Sequence, residues 1–353
     1  MGQRIIIMAG GTGGHVFPAL AVAQYLVKNG WHVSWLGTKR GMESRVVPEN
    51  NIEIDWLAVA GLRGKGIGAK IKSALLLIKS FFQVFSIFCK RKPDVVLGFG
   101  GYVAGPGGLV AKLMGIPLVI HEQNRIPGTT NRLLMKKANK VLQAFPESFS
   151  PDINALFTGN PLRTEFLDSQ EKEIWNEELE RDLRILVVGG SQGAKILNDI
   201  VPVAVKALDR VEIRHQTGTA MFKTVFENYE KLSINAQAVE FIDDMASAYQ
   251  WADMIICRSG AMTVSEVAAA GLPAIFIPLP HAIDDHQTAN AHYLVDAGAG
   301  VLLKQPDLNE LSLLKAIQDV KGSIREMCLA AKNKAKLDAT VVVSDICIQE
   351  AKK

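Results

Sequence analysis

The chain has 353 residues, enough for two domains of ordinary size, and 48% hydrophobic with 21% charged residues is typical of a globular protein. Its four cysteines lie far apart without a Cys-x-x-Cys pair, which argues against a disulfide framework and against a zinc site. The net charge of +3 hides an asymmetry: residues 1–162 carry 19 Lys and Arg against 8 Asp and Glu, whereas residues 163–353 carry 20 against 28. We therefore expect the first half to face something anionic, nucleic acid or a membrane surface.

The first half alternates predicted strands and helices. Residues 1–4 lead directly into an apolar run without the pattern of a secretory signal, so we expect a cytosolic protein. Pro18 near the start and Gly30 just past the end bound the first helix. The predicted elements are strand 4–8, helix 17–29, strand 31–36, strand 52–58, a basic glycine-rich linker 61–68, helix 70–90, strand 94–98, a glycine loop 100–108, strand 117–121, helix 129–138, and strand 140–144, which closes the first sheet.

The turn-rich segment 158–163 and the charge-dense segment 165–184 separate this half from a second one that repeats the alternation. Further helices, with less distinct bounds, follow Asn309. The predicted elements are strand 185–189, helix 194–208, strand 211–216, helix 219–231, strands 238–242 and 253–257, helix 263–270, strand 273–277, a long loop 278–287, and a helix ending at Asp296.

A glycine-rich motif occurs once in each half. Residues 10–14 read Gly-Gly-Thr-Gly-Gly and residues 189–193 read Gly-Gly-Ser-Gln-Gly, each after a β-branched run and before a helix. Such a loop lets the backbone approach a phosphate while the helix N-terminus directs N–H groups at it. A helix ending at glycine and followed by proline, at 115–117 and at 271–273, also repeats. We therefore predict two related halves, each a parallel-sheet nucleotide-binding domain. The alternative is two unrelated nucleotide-binding domains with similar glycine and proline positions.

Other nucleotide chemistries fit less well. Val16 replaces the third glycine of a dinucleotide fingerprint, although Lys39 and Arg40 suit a 2′-phosphate, so an NADP enzyme stays open at this point. The sequence contains neither a Walker A motif nor an Asp-x-Asp pair for a metal-bridged diphosphate. A leaving diphosphate would then be stabilised by helix N-termini, by backbone N–H groups and by an arginine, which the Ser191 loop, the 259–261 loop and Arg163 provide.

The predicted helix 70–90 and its flanks are strongly basic, with no acidic residue between Trp56 and Pro93. Lys72, Lys79 and Gln83 interrupt the apolar stretch, so we reject a transmembrane helix. Two interpretations stay open: an interfacial helix that docks on a membrane, or a helix that only packs on its own sheet. The basic residues are Arg63, Lys65, Lys70, Lys72, Lys79, Lys90, Arg91 and Lys92, and the apolar ones are Ile71, Ala74, Leu75, Ile78, Phe81, Phe82, Phe85 and Phe88.

Seven motifs in order identify a resemblance. They are Gly-Gly-Thr-Gly-Gly-His (10–15), Gly-Phe-Gly-Gly-Tyr (98–102), His-Glu-Gln-Asn (121–124), Gly-Asn-Pro-Leu-Arg (159–163), Gly-Gly-Ser-Gln-Gly-Ala (189–194), Phe-Ile-Asp-Asp-Met (241–245) and Arg-Ser-Gly-Ala-Met-Thr-Val-Ser-Glu (258–266). From residue 4 to about 300 the chain closely resembles the MurG family of N-acetylglucosaminyltransferases. The resemblance implies an α/β GT-B fold, with two Rossmann-like doubly wound parallel-sheet domains facing across a cleft. Domain 1–162 would face acceptor and membrane, domain 163–339 would bind the UDP-sugar, and a helix at about 340–353 would return to the first domain.

The resemblance also implies the reaction and its partners. N-acetylglucosamine would pass from UDP-N-acetylglucosamine, with inversion, to the 4-hydroxyl of undecaprenyl-diphosphate-linked N-acetylmuramyl pentapeptide, converting lipid I to lipid II in peptidoglycan synthesis. No cofactor or metal, and no nucleic acid, would take part. The protein would lie peripherally on the cytoplasmic face of the inner membrane, on its anionic surface, with cell-wall synthesis proteins as further partners. The alternatives are another GT-B enzyme (a lipid glycosyltransferase or a UDP-sugar epimerase) and a non-catalytic, membrane-associated UDP-sugar sensor.

The family's functional residues map onto this sequence by motif. Ser191 would hold the phosphates, the Ile242 backbone would read the uracil edge, and Glu266 would accept hydrogen bonds from the ribose; singly, Ser191 and Glu266 are also ordinary helix-start residues. Helix N-terminal N–H groups would come from Ala261, Met262, Thr263, Val264 and Ser265. The donor site would be completed by Thr12, Gly13, Gly14, Asn124 and Arg163, with Gln287 on the sugar hydroxyls.

Histidines divide into one candidate and several structural residues. His15, at a helix start, would deprotonate the acceptor's 4-hydroxyl or bind its diphosphate, and the sequence does not choose between the two. His286 stands where the family has a second glutamine, in a loop one residue longer, so its role is not carried over. We interpret His32 and His215 as structural, and His121 as structural with a weak claim to the active site.

Overall fold

A computed structural model describes residues 2–58, 67–167, 174–175, 181–280 and 283–353, with side chains omitted at 67–75 and 283. The predicted linker 61–68, with Arg63 and Lys65, therefore lies largely outside the described residues, as do the side chains of Lys70 and Lys72. The chain forms two compact units, residues 1–163 with 337–353 (unit 1) and residues 164–336 (unit 2).

The sheet of unit 1 contains, among the described residues, seven parallel strands in the order β3-β2-β1-β4-β5-β6-β7. In the central strand, Ile5 and Ile7 face one core layer while Ile6 and Met8 face the other, which explains its unbroken apolar sequence. The predicted end of the sheet at 140–144 is wrong, because a two-residue strand pairs beyond it. The strands are β1 Arg4–Met8, β2 His32–Gly37, β3 Glu53–Trp56, β4 Val95–Gly98, β5 Leu118–Glu122, β6 Lys140–Gln143 and β7 Leu156–Phe157.

The first helix of unit 1 begins earlier than predicted. Thr12 has an extended backbone and its carbonyl accepts hydrogen bonds from the N–H groups of His15 and Val16, so the helix starts within the glycines. Pro18 consequently lies inside the helix rather than at its first position. The helices in this part of the chain are α1 Gly13–Lys28, α2 Glu43–Glu49, α3 Ile67–Arg91, α4 Gly101–Leu113 and α5 Thr129–Leu134.

The predicted glycine loop at 100–108 is wrong, because α4 begins at Gly101. Its glycines serve close packing: a Cβ on Gly107 would lie 2.2 Å from Met8 Sδ, and one on Gly108 would lie 2.8 Å from Leu134 Cδ1. Glycine weakens an isolated helix, but here it lets α4 approach the sheet and α5. The predicted glycine terminator is confirmed, since Gly115 follows the helix with φ of +70°.

The sheet of unit 2 contains, within the described ranges, six parallel strands in the order β10-β9-β8-β11-β12-β13. The three-residue edge strand β13 was not predicted. The strands are β8 Leu183–Val188, β9 Val211–Gln216, β10 Ala236–Val239, β11 Met254–Cys257, β12 Ala274–Phe276 and β13 Gly300–Leu302.

The helices of unit 2 cover both faces of this sheet. Helix α9 begins two residues earlier than predicted and ends at Gly271 as predicted, and α10 begins at His286, inside the predicted loop. The short helix α8 was not predicted. The helices are α6 Lys195–Val205, α7 Phe222–Lys231, α8 Met245–Trp251, α9 Ala261–Ala270, α10 His286–Val295, α11 Glu310–Gly322 and α12 Ile324–Lys334.

The last helix, α13 (Ala339–Glu350), belongs to unit 1. It packs on α1 and β4, and its Val343 and Cys347 side chains are fully buried in the core layer that contains Ile5 and Ile7. The Thr340 hydroxyl donates a hydrogen bond to the Leu162 carbonyl at 3.3 Å. Two Rossmann-like parallel-sheet domains were predicted, and this fold class is confirmed.

Helix α3 has two different faces. Ser80, Val84 and Phe88 are buried against the sheet of unit 1. On the remaining surface, Phe82 is 67% and Ile78 is 56% exposed, and Leu77 and Phe85 are exposed too. The packing interpretation is therefore confirmed for one face, and docking of the exposed apolar face on a membrane stays a prediction. Among the described residues, no helix combines the length and the hydrophobicity required to cross a bilayer.

Candidate functional site

Three loops of unit 1 meet at the carboxyl edge of its sheet. They follow the neighbouring strands β1, β4 and β5, and they carry residues 9–12, 99–100 and 123–128. A Cβ on Gly101 would lie 2.8 Å from the Gly10 carbonyl oxygen, so the first two loops are in direct contact. In open parallel sheets this edge is where ligands bind.

His15 lies in the first turn of α1, half-buried beside the loop after β4. A Cβ on Gly100 would lie 3.3 Å from its Cδ2 atom and 3.4 Å from its Nε2 atom, so glycine at 100 makes room for the ring. The first turn of α1 contains no acidic residue, and helix geometry leaves Gly13 and Gly14 N–H groups without intrahelical acceptors. The arrangement therefore offers a proton acceptor next to anion-binding N–H groups.

The first glycine loop departs from the predicted phosphate cradle at Gly11. Its N–H donates to Glu43 Oε2 at 2.9 Å, and its carbonyl accepts from the Met42 N–H at 3.1 Å. Glu43 is fully buried at the start of α2. An external anion therefore has the helix start at Gly13 and Gly14, and not Gly11, as its backbone partner.

Asn124 lies in the loop after β5, and Glu122 organises that loop. Glu122 is buried and accepts hydrogen bonds from the Asn124 N–H at 3.0 Å, the Gly128 N–H at 3.0 Å and Asn131 Nδ2 at 2.9 Å. It also accepts one from Asn124 Nδ2 at 3.3 Å. A carboxylate with four donors holds its loop rigidly, so Asn124 is presented from a fixed backbone.

His121 occupies a structural position. Its ring is fully buried between the Gly159 carbonyl, 2.9 Å from Nε2, and Gln123 Nε2, 3.0 Å from Nδ1. Burial lowers its pKa to about 4, so the ring is neutral near pH 7. His215 in unit 2 is likewise buried, next to the Tyr229 hydroxyl, and burial lowers its pKa to about 3.

Arg163 ends unit 1 and lies beside α1. Its guanidinium carbon is 5.2 Å from the centre of the Phe17 ring, a cation–π contact that places the charge one turn along α1 from the glycine loop. The preceding segment is tied to β5 by a hydrogen bond from Asn160 Nδ2 to the Gln123 carbonyl at 3.2 Å. The structure thus groups Thr12, Gly13, Gly14, His15, Asn124 and Arg163 in unit 1.

Ser191 is exposed at the tip of the second glycine loop. That loop packs against the turn after β9: a Cβ on Gly193 would lie 1.9 Å from the Thr217 carbonyl oxygen, and one on Gly218 would lie 2.2 Å from that of Gln192. Both glycines have φ above +70°, a conformation that disfavours other residues. The loop therefore has a defined shape that any side chain at these two positions would disrupt.

Gln216 connects this loop to Ile242. Its Nε2 donates to the Gly190 carbonyl at 2.8 Å, and its Oε1 accepts from the Ile242 N–H at 2.9 Å. Because this N–H is engaged, the predicted contact of Ile242 with a uracil edge is restricted to its carbonyl. The carbonyl is the group that matches the N3–H donor of uracil.

Helix α9 presents a second N-terminus in unit 2. Gly260 caps it without a side-chain hydrogen bond, and its first turn contains no acidic residue. The Val264 N–H donates to the Gly260 carbonyl, so the groups that helix geometry directs outward are those of the first turn, such as Met262 and Thr263. Ser265 donates from Oγ to the Ala261 carbonyl at 3.0 Å, back along its own helix.

Arg258 precedes α9, and Glu266 lies in the second turn of that helix. The Arg258 guanidinium donates to the carbonyls of Ile277 and Pro278 and to Gln305 Oε1, at 2.8 to 3.0 Å, and burial lowers its pKa. Glu266 is half-buried and accepts a hydrogen bond from the Tyr249 hydroxyl at 3.2 Å.

Gln287 lies in the first turn of α10. Its Oε1 accepts from the Leu279 N–H at 3.0 Å, which restricts a sugar contact to its Nε2 amide. His286 is the first residue of that helix and half-buried. Unit 2 thus carries Ser191, Ile242, residues 261–266 and Gln287. Over the described parts of the chain, no three His, Cys, Asp or Glu side chains are grouped as metal ligands.

Four supporting residues were not singled out from the sequence: Glu43, Glu122, Gln216 and Arg258. Glu122 and Gln216 end buried strands, and Arg258 directly follows one. A polar residue at the end of an apolar run is a signal that could have identified Glu122 and Arg258, whereas β9 already alternates polar residues and gave no such signal for Gln216. Glu43 opens a short helix and gave no such signal.

Comparisons with known proteins indicate the same family of glycosyltransferases in both halves of the chain. Residues 5–143 match the glycosyltransferase family 28 N-terminal domain, and residues 184–345 match the family 28 C-terminal domain. A UDP-N-acetylglucosamine–N-acetylmuramyl-(pentapeptide) pyrophosphoryl-undecaprenol N-acetylglucosamine transferase from Methylococcus capsulatus is 53% identical, with 99% of each chain covered. The protein of the same name from Shewanella frigidimarina is 48% identical, over 99% of this chain and 97% of its own.

A crystal structure of MurG from Acinetobacter baumannii superimposes with a TM-score of 0.84 at 41% identity, covering 98% of this chain and 99% of that one. This similarity confirms the predicted GT-B fold class.

Proposed function

Since the chain belongs to glycosyltransferase family 28 and, within it, to the MurG family, we propose that it transfers N-acetylglucosamine from UDP-N-acetylglucosamine to undecaprenyl-diphosphate-linked N-acetylmuramyl pentapeptide. The product is lipid II, a precursor of peptidoglycan. The observation that carries this assignment is the identity of 53% to a transferase of that name, with 99% of each chain covered.

The donor binds to unit 2. The N-terminus of α9 and the Ser191 loop hold the diphosphate, because both direct N–H groups at an anion and neither contains an acidic side chain. Glu266 accepts hydrogen bonds from the ribose hydroxyls, with the Tyr249 hydroxyl fixing its carboxylate. Ile242 reads the uracil edge through its carbonyl, and Gln287 contacts the sugar through Nε2.

The acceptor reacts at unit 1. His15 takes the proton of the 4-hydroxyl, the oxygen attacks C1 of the N-acetylglucosamine, and the bond from C1 to the diphosphate oxygen breaks as UDP leaves. Displacement from an α-linked donor inverts C1 and forms a β(1→4) bond. Negative charge on the leaving UDP is stabilised by the N-terminus of α9, without a metal.

A transfer assay tests this function. Labelled UDP-N-acetylglucosamine with lipid I should yield a labelled lipid product and UDP, and neither substrate should react alone. Conversion of the donor without acceptor would establish an epimerase instead. Binding of UDP-N-acetylglucosamine with no turnover of either kind would establish a sensor, and turnover only with a different lipid acceptor would establish another lipid glycosyltransferase.

We further propose that the protein lies peripherally on the cytoplasmic face of the inner membrane through α3. Leu77, Ile78, Phe82 and Phe85 are exposed and share the helix with Lys79 and Lys90. Fully burying one such apolar side chain stabilises by about 1.5–3 kcal/mol, and each basic residue near an anionic leaflet adds about 1 kcal/mol. Partial insertion of the exposed apolar face, together with attraction of the basic residues to the anionic leaflet, supports reversible docking next to the lipid acceptor.

Flotation with vesicles of phosphatidylethanolamine and phosphatidylglycerol tests the docking. Replacing Ile78 and Phe82 by serine should release the protein, whereas Val27→Ser, which removes an exposed apolar side chain from α1, should not. Replacing Lys65, Lys70, Lys72 and Lys79 by glutamate should also release it, and should leave UDP binding intact. Equal flotation of all variants would limit α3 to its packing role.

A further inference from the structure

The carboxylate of Glu43 is buried beneath the first glycine loop and is hydrogen-bonded by the backbone on both sides. Its Oε2 accepts from the Gly11 N–H at 2.9 Å, and its Oε1 accepts from the Thr38 N–H at 2.9 Å and the Thr38 hydroxyl at 2.8 Å. The side chain is fully buried. It connects the loops after β1 and β2, which are neighbouring strands.

Three glycines leave the space that this carboxylate occupies. A Cβ on Gly41 would lie 1.9 Å from Glu43 Oε2, one on Gly10 would lie 2.7 Å from Oε1, and one on Gly37 would lie 2.8 Å from Cγ. Such distances are well inside van der Waals contact. The backbone at these three glycines is therefore shaped to the carboxylate.

An ionised carboxylate fits these donors and an amide does not. The two oxygens each face a backbone N–H, which cannot rotate away or accept a hydrogen bond. A glutamine at this position would place its NH₂ group, itself a donor, against the N–H of either Gly11 or Thr38. One buried donor would then lose its acceptor, the most costly way to change a buried hydrogen bond.

The restraint passes along the chain to His15. The backbone of Gly11 is held at both polar groups, its N–H by Glu43 and its carbonyl by the Met42 N–H. The next residue, Thr12, is the N-cap of α1, and its carbonyl accepts from the His15 N–H at 3.1 Å. On its other side the His15 ring lies against Gly100. A shift at Gly11 therefore moves Thr12, the N-cap of α1, and with it the first turn of the helix, which contains His15.

We propose that Glu43 is a positioning residue for the transfer reaction: its carboxylate fixes Gly11, and through Gly11 the N-terminus of α1 and His15. This inference rests on the proposed function. Because it is fully buried, Glu43 does not contact either substrate; it acts through the loop. Small displacements of a reacting group are costly, roughly 10- to 100-fold in rate.

The kinetic test compares Glu43→Gln with Glu49→Gln, the same change on the exposed end of α2. We expect Glu43→Gln to lower kcat at saturating substrates by roughly 10- to 100-fold while the Kd for UDP stays within about twofold, because the donor binds to unit 2. Gly41→Ala, which displaces the carboxylate without removing it, should give the same split. Glu49→Gln should match the wild type. Wild-type kcat in Glu43→Gln would overturn the inference.

A destabilised comparator separates positioning from a merely structural role. Leu26→Ala creates a cavity near the other end of α1, where the side chain is fully buried. Assayed well below its melting temperature, it should retain kcat within about twofold even though its melting temperature falls as far as that of Glu43→Gln. If Leu26→Ala loses as much activity, Glu43 is only a stability residue.

A second readout does not need turnover. The ¹³C-labelled His15 ring, assigned through His15→Asn, should shift or broaden in Glu43→Gln and in Thr38→Val, which removes one hydroxyl donor to the carboxylate. The exposed ring of His32 should not change. An unmoved His15 resonance would refute the inference whether or not the wild type transfers sugar, whereas an inactive wild type with a shifted resonance would refute only the proposed function.

Discussion

The glycine loop after β1 and the glycine loop after β8 follow the corresponding central strands of their two sheets, and each precedes a helix. Their supporting contacts differ in charge. In the first loop the Gly11 N–H donates to the buried carboxylate of Glu43, whereas in the second the Gly190 carbonyl accepts from the neutral amide of Gln216. The same glycine-rich motif is therefore held by different contacts in the two units. These contacts fit the roles we propose, the diphosphate at the neutral loop and the presentation of His15 at the loop above the buried carboxylate.

This contrast predicts the largest effect at His15. His15→Ala should lower kcat by about 10² to 10⁴, the range of general-base catalysis, with little change in affinity for UDP-N-acetylglucosamine. His32→Ala, on an exposed histidine of the same unit, is the matched control. Steady-state kinetics with both substrates and calorimetry with UDP provide the measurements. Near-normal turnover at saturating acceptor would reduce His15 to a diphosphate contact, and lost donor binding would assign it to the donor.

Glu266 should give the next largest effect, now on binding. The hydrogen bonds that we propose between Glu266 and the ribose hydroxyls involve a charged acceptor. Such bonds are worth about 1.5–3 kcal/mol, so Glu266→Ala should weaken UDP binding by roughly 10- to 150-fold. Tyr249→Phe, which removes the hydrogen bond to Glu266, should weaken it less. Glu227→Ala on the exposed surface of α7 serves as the control. Unchanged UDP affinity in Glu266→Ala would show that the donor lies elsewhere.

Ser191 should give a smaller effect at the neutral loop itself. Loss of one hydrogen bond from an exposed hydroxyl corresponds to about 1 kcal/mol, because water replaces it, so Ser191→Ala should weaken UDP binding about fivefold. Thr224→Ala removes an exposed hydroxyl from α7 and should change nothing. If Ser191→Ala changes neither the affinity for UDP nor the affinity for uridine, the phosphates are held by α9 without this loop.

Removal of divalent metal should have no effect. The second loop and α9 offer N–H groups rather than carboxylates, which is why we propose that the diphosphate is bound without a bridging ion. We expect equal initial rates in excess EDTA and in magnesium, measured with the same enzyme preparation. Activity that disappears in EDTA and returns on adding magnesium would contradict this prediction and the proposed division of roles between the loops.

Most of the architecture was predictable because it depends on local signals. Unbroken apolar runs indicated the central strands, and Gly115 and Gly271 marked helix ends by their need for positive φ. Prediction failed where packing overrides propensity. Gly107 looks like a loop residue, but it lies inside α4. Glycine is needed at this helical position because Met8 occupies the space that a Cβ would need. Strands as short as β7 and β13 carry too few residues to show a pattern.

The candidate site was predictable only in part for the same reason. The glycine loops could be placed at strand ends, and sheet topology then brings such ends to one edge. The contacts that restrain them come from distant positions: Gly11 and Glu43 are 32 residues apart, and Gln216 and Ile242 are 26 apart. Nothing in the local sequence of either partner indicates such a pairing, so it became visible only when the chain was folded.

The return of α13 to unit 1 constrains the order in which the protein is completed during synthesis. Val343 and Cys347 fill a core layer whose other members lie in the first half of the chain, and unit 2 is translated between them. At about 5–20 residues per second, the ribosome needs roughly 10–35 s for that interval. Throughout it, unit 2 is free to fold as it emerges, while the nascent first unit keeps an apolar surface on α1 uncovered. The amino-terminal unit is therefore the first to be started and the last to be completed.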